Sequence, residues 1–157
     1  MEGQQEFEKR LRKVRQDMRD KGLQTLLVYD SGRHNFLRMN YVAYLTDFIS
    51  IGPETVLVVP LEDTSVLYLS PVWDIPRAQE ESWVSDVRPF KELWSRLPSI
   101  SGKAGLAGRE AMHVGLHDEI AKSLGQVPVN AKDIIENMAR TKSEFELARL
   151  RRAASSR

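Results

Sequence analysis

The run ETVLVVPLEDTSVLYLS, residues 54–70, decides how this chain folds. Two segments rich in β-branched and aromatic residues flank a four-residue polar connection, Leu61-Glu62-Asp63-Thr64. So short a link reads as a hairpin, with its two strands antiparallel. Pro60 has no N–H to give a ladder and marks the end of the first strand.

Upstream, LQTLLVYD (residues 23–30) is mainly apolar and short enough for a buried strand. Asp30, Ser31 and Gly32 then turn the chain. Before that strand, Phe7, Leu11, Val14 and Met18 recur at spacings of four, three and four, the stripe of an amphipathic helix. Gly22 reads as its stop signal. Downstream, the spacing predicts a helix over 72–82, a short strand in VSDVRPF and a short helix over 91–97. KAGLAG then reads as a strand, LHDEIAKSLG as a helix stopped by Gly125, VPVNA as a strand and KDIIENMAR as a helix. A hairpin inside a helix–strand alternation implies an α/β fold: a mixed β-sheet with an antiparallel hairpin, flanked by α-helices.

The last segment carries its own start signal. Thr141 to Glu144 fits a capping box, and so does Ser143 to Glu146 one register later. Leu147, Leu150 and Ala154 follow as an apolar stripe. Residues 138–157 hold six basic side chains against two acidic ones. The plain reading of this basic helix is a solvated face; the alternatives are a connector to a further domain and a patch for nucleic acid. Over the whole chain Lys plus Arg is 23 and Asp plus Glu is 22, which gives no global reason to expect nucleic acid or an anionic membrane as partner. No apolar run approaches the ~20 residues that span a bilayer. With no cysteine, disulfides, thiolate metal sites and a cysteine nucleophile are excluded together. The polar, mixed-charge N-terminus is unlike a secretory signal, so the expected location is cytoplasmic.

Chemistry-bearing motifs are few. His113 and His117 have the i, i+4 spacing of zinc helices, but no glutamate follows the first histidine and Gly115 lies between them; a surface or loop-capping role is the expectation. Gly102, Gly105 and Gly108 do not make a dinucleotide fingerprint and read as turn glycines around a short strand. No phosphate loop, hydrolase elbow or triad spacing is present, and the carboxylates single out no two-metal set. Trp73, Trp83 and Trp94 read as core aromatics, with interface anchors as the alternative. One segment does suggest contact with a ligand. The loop from Asp30 to Phe48 follows the first buried strand and mixes polar with aromatic residues. Arg33, His34, Tyr44 and Asp47 are its expected substrate or partner contacts. The alternative is that Tyr44, Leu45 and Phe48 pack under the sheet edge.

Taken together, MRDKGLQTLLVYD, the loop YLTDF, the hairpin and the closing DIIENMARTKSEFELARLRRAA resemble the N-terminal domain of the creatinase, prolidase (Xaa-Pro dipeptidase) and aminopeptidase P family of pita-bread metallohydrolases. The family's Gly-hydrophobic-Asp motif corresponds to Gly22-Leu23-Gln24. Its closing Arg-Lys-Ser-Glu motif corresponds, slightly compressed, to Arg140, Lys142, Ser143 and Glu146, followed by Leu150, Arg151, Ala153 and Ala154. Two positions depart from the pattern: Asp47 stands where the family usually has glycine, and Asn40 lies one residue early before Tyr44. The resemblance implies an N-terminal domain over 1–140 and, over 141–157, the start of a helix leading to a C-terminal catalytic domain. That further domain would hold two divalent metal ions (Mn, Zn or Co) on two Asp, one His and two Glu, none of them in this chain. It also implies no metal, cofactor or catalytic residue here, a homodimer in the full-length protein, and loops that help shape a substrate pocket. Other readings are a stand-alone protein-binding module, the N-terminal domain of a creatinase- or ectoine-type C–N hydrolase, and an unrelated α/β enzyme using His34 as acid–base group.

Overall fold

The computed structural model describes residues 2–32 and 38–156. Arg33 and His34 lie outside the described residues. The chain opens with α1 (Glu2–Asp20) and β1 (Thr25–Asp30), then α2 (Tyr41–Thr46). The hairpin follows as β2 (Glu54–Pro60) and β3 (Val66–Ser70), then α3 (Ile75–Glu81), β4 (Asp86–Pro89) and α4 (Leu93–Arg96). The remainder is β5 (Ala104–Ala107), α5 (Val114–Leu124), β6 (Val129–Asn130), α6 (Lys132–Arg140) and α7 (Glu144–Ser155).

The strands form one sheet in the order β4-β3-β2-β1-β5-β6. β2 is antiparallel to both β1 and β3, while β1 pairs β5, β3 pairs β4 and β5 pairs β6 in parallel. The mixed sheet read from the hairpin is therefore present. Because side chains alternate across a strand, β1 sends Leu26 and Val28 into one layer and Leu27 and Tyr29 into the other. The first layer is closed by α1, α2, α3 and α6 and the second by α4 and α5. The stripe Phe7, Leu11, Val14 and Met18 is buried, as its spacing predicts.

Several local expectations need correction. The segment from Asp30 to Phe48 is not loop throughout, because residues 41–46 form α2. Asn40 caps it by accepting from the Ala43 N–H at 2.8 Å, and Leu45 and Phe48 are buried beneath it. Six residues give too little periodicity to show as a helix in sequence. Trp73 is 68 % exposed and no core aromatic, whereas Trp83 and Trp94 are partly buried against Phe7 and Phe90. The capping box falls on Ser143 and Glu146, in the later of the two registers. The stripe on α7 is not a buried one: no residue of that helix is buried, and Leu150 is 57 % exposed.

Candidate functional site

The chain leaves β1 in one direction to build β2, β3 and β4, then returns to build β5 and β6 on the other side. The carboxyl ends of the parallel neighbours β1 and β5 therefore lie at the topological switch point, where α/β sheets place their ligand crevices. A cavity of ≈ 180 Å³ opens there, lined among others by Asp30, Arg38, Asn40, Tyr41, Ile49 and Glu110.

Local chemistry sets each wall. The Asp30 carboxylate accepts the Gly32 N–H at 2.8 Å and the Asn40 amide at 3.0 Å, so it closes its own turn and fixes the cap of α2. Gly32 has φ +63°, and a Cβ there would stand 1.9 Å from the carbonyl oxygen of Gly52. Gly108, at φ +96°, leads out of β5; its Cβ would stand 2.2 Å from the carbonyl oxygen of Tyr29. Arg38 donates to the Glu110 carbonyl. The Tyr41 hydroxyl lies 2.9 Å from a Glu110 carboxylate oxygen and 2.5 Å from one of Glu136. Its side chain is only 4 % exposed. Burial first, and then the bonds to Glu136 and Glu110, push its pKa above the ordinary phenol value.

Two of the expected contact residues look away from this cavity. Tyr44 packs under the Arg10 guanidinium, 3.9 Å from its ring centroid, and its carbonyl accepts from that arginine. Asp47 caps α2 at φ +57° and accepts from Arg149 of α7 at 2.7 Å. Arg33 and His34 lie outside the described residues. His113 is the N-cap of α5, accepting the Leu116 N–H on Nδ1 at 3.1 Å, in keeping with a capping role. Arg38 and Glu110 of the cavity, and Glu136 behind Tyr41's hydrogen bond, escaped the sequence reading, since Tyr41 meets its two glutamates across 69 and 95 residues. Among the described residues no group of three or more His, Asp or Glu side chains is placed to hold a metal ion.

A second cluster ties the last helix to the first. Glu6 accepts Arg10 Nε at 2.9 Å and the Ser143 hydroxyl at 2.8 Å. Arg10 lies 3.6 Å from Glu146, whose carboxylate accepts the Ser143 N–H at 3.0 Å. Arg10 and Glu6 are 5 % and 7 % exposed. The Trp83 indole makes an edge contact with Phe145 at 5.7 Å. The residues of the closing motif thus anchor the start of α7 on α1.

The model of the creatinase/prolidase N-terminal domain matches residues 10–139, most of the sheet and its helices. The chain belongs to that family. Among solved structures it resembles the prolidase from Pyrococcus horikoshii OT3, with a TM-score of 0.71 at 21 % identity over 89 % of this chain. It is similar to the N-terminal domain of the cytoplasmic peptidase PepQ from Mycobacterium tuberculosis H37Rv, with a TM-score of 0.64 at 20 % identity. It also resembles a proline dipeptidase from Streptococcus agalactiae, with a TM-score of 0.64 at 17 % identity. The chain spans 37 % of the Pyrococcus prolidase chain, but 96 % and 97 % of the other two. No curated protein matches the sequence. The creatinase/prolidase N-terminal fold is thus reached at low identity, through sheet order and packing.

Proposed function

We propose that this chain is the non-catalytic N-terminal domain of a metal-dependent hydrolase resembling Xaa-Pro dipeptidase and aminopeptidase P. The observation that carries the reading is the family match over residues 10–139, joined to a closing helix whose start is fixed on α1. Ser143 and Glu146 fix where α7 begins, while Leu150 beyond them remains exposed. On this reading residues 141–157 lead into a catalytic domain. That domain carries two divalent metal ions, and the described residues offer no donor set for them. The parent then works as a cytoplasmic homodimer, with this domain contributing to the dimer and to the shape of the substrate pocket. Exposed Ile51, Val72 and Trp73, on the turns at the cavity's end of the sheet, support a contact with another part of the assembly.

Hydrolysis tests this directly. The purified chain with Mn²⁺ or Zn²⁺ is expected to leave an Xaa-Pro dipeptide intact, and the protein encoded by the whole natural reading frame is expected to cleave it. Cleavage by the chain alone, or a full-length product that forms no dimer and has no metal-dependent activity, overturns the proposal.

A further inference from the structure

The switch-point cavity carries a second inference, which does not rest on the hydrolase reading. Its walls bear charges of both signs. Asp30 and Glu110 supply carboxylates and Arg38 a guanidinium, while Ile49 and Met39 give an apolar side. A guanidinium has five N–H donors, so the bond from Arg38 to the Glu110 carbonyl does not exhaust it. The Tyr41 hydroxyl has one proton and two carboxylate neighbours. It can donate to only one of them, and the shorter contact is to Glu136. The other carboxylate, Glu110, is exposed where it lines the cavity and is free to accept from a group bound there. The volume of ≈ 180 Å³ is of the order that holds a benzene-sized guest, hence about six to eight heavy atoms.

We propose that the cavity between the carboxyl ends of β1 and β5 binds a small zwitterion the size of a free amino acid. Its ammonium group lies against Glu110 and Asp30 and its carboxylate against Arg38. A cation alone leaves the spare N–H groups of Arg38 unused and an anion alone faces two carboxylates, so the charge pattern favours a molecule carrying both. The fixed walls suit this role. Asp30 is held by Gly32 and Asn40, and the bare Cα of Gly108 lets β5 end against the Tyr29 carbonyl.

Calorimetric titration of the chain with L-alanine, L-proline, methylamine and acetate tests the proposal. Saturable binding of at least one amino acid is expected, with methylamine and acetate each at least about tenfold weaker. Glu110→Gln keeps the side-chain shape and is expected to weaken amino-acid binding about tenfold. Arg38→Met is expected to weaken it similarly and to leave methylamine binding unchanged, which distinguishes the two arms of the site. Circular dichroism of each variant confirms folding, and since the Arg38 side chain is at the surface that variant provides the reading should Glu110→Gln fail to fold. Absence of saturable amino-acid binding, methylamine or acetate binding as well as the amino acids, or binding indifferent to Arg38→Met overturns the proposal. None of these outcomes bears on peptide hydrolysis, so this inference and the proposed function fail separately.

Discussion

Two clusters in this domain are built from the same kinds of side chain and reach opposite results. At the closing junction Arg10 sits among Glu6, Glu146 and the ring of Tyr44 and is 5 % exposed. At the switch point Arg38, Glu110 and Tyr41 line a cavity, and Glu136 bonds the Tyr41 hydroxyl. In the first, the guanidinium occupies the centre and answers carboxylate, carbonyl and ring at once. In the second, the guanidinium stands at the rim and a phenol with one proton meets two carboxylates. The difference is one of stoichiometry between donors and acceptors. A buried charge cluster with matched partners works as a fastener, and an exposed one around a cavity, as at Arg38 and Glu110, leaves room for a guest.

Substituting each arginine in turn is the largest test of that contrast. Arg10→Met strands the buried Glu6 carboxylate and removes the tie to Glu146. A loss of roughly 3–5 kcal/mol is expected in urea unfolding. Arg38→Met, at the surface, is expected to change stability by no more than about 0.5 kcal/mol. Equal losses would break the comparison. Next in size comes Gly108→Ala. It forces a Cβ to 2.2 Å from a backbone carbonyl at φ +96°, where an L side chain is itself strained. About 2 kcal/mol or more is expected, which would show that the cavity region is specified by its backbone and not by its charged walls. Ser143→Ala removes both the cap of α7 and the bond to Glu6. About 1–2 kcal/mol is expected, together with faster amide exchange in the first turn of α7.

This contrast also marks what the sequence could show. Strands and helices were legible because their apolar residues form short continuous runs, as in β1, or recur near every 3.6 residues, as in α1. The closing junction was half legible: Ser143 and Glu146 make a local capping pattern, but nothing near Arg10 or Glu6 announces a partner 137 residues away. The cavity was not legible at all beyond its loop. Glu110 and Glu136 are ordinary solvated-looking carboxylates until the sheet order brings β5 and α6 beside α2. The short helix α2 escaped for a related reason: the side-chain cap of Asn40 and the core position of Leu45 hold it, and propensity contributes little over six residues.

Alkaline pH separates the two clusters more gently. Burial raises the pKa of Tyr41, Tyr44 and Tyr68 above the ordinary phenol value, and Glu136 and Glu110 add to the effect at Tyr41. A group whose folded pKa lies above its unfolded one keeps its full stability contribution below the unfolded value. It loses that contribution as pH rises toward the folded value. The urea midpoint is therefore expected to fall as pH is raised from about 9 to about 11, through the unfolded phenol value near 10. Tyr41→Phe should flatten this limb because it removes the phenol with two carboxylate neighbours. Tyr44→Phe should flatten it less, since the Arg10 charge opposes burial there. A limb unchanged in Tyr41→Phe would mean that its hydroxyl is not buried beside the two glutamates in solution.

The smallest expected effect is at Asp47, where the family usually has glycine. The residue ends α2 at φ +57°, a conformation glycine adopts freely and aspartate less so. Asp47→Gly therefore relieves a cost of up to about 1 kcal/mol. It also removes the bond to Arg149, a pair whose side chains are 35 % and 50 % exposed and which contributes about 0–1 kcal/mol. The two terms oppose each other, so a net change within about 0.5 kcal/mol is expected in urea unfolding. The location of the change is the more telling readout. Loss of the pair frees the middle of α7 while Arg10 still holds its start, so amide exchange should quicken from Arg149 onward and not at Phe145. Arg149→Ala should reproduce that pattern without the backbone relief. If Asp47→Gly instead loosened the first turn of α7, the buried junction would depend on the exposed pair, and the division between a tight fastener and its surroundings would not hold.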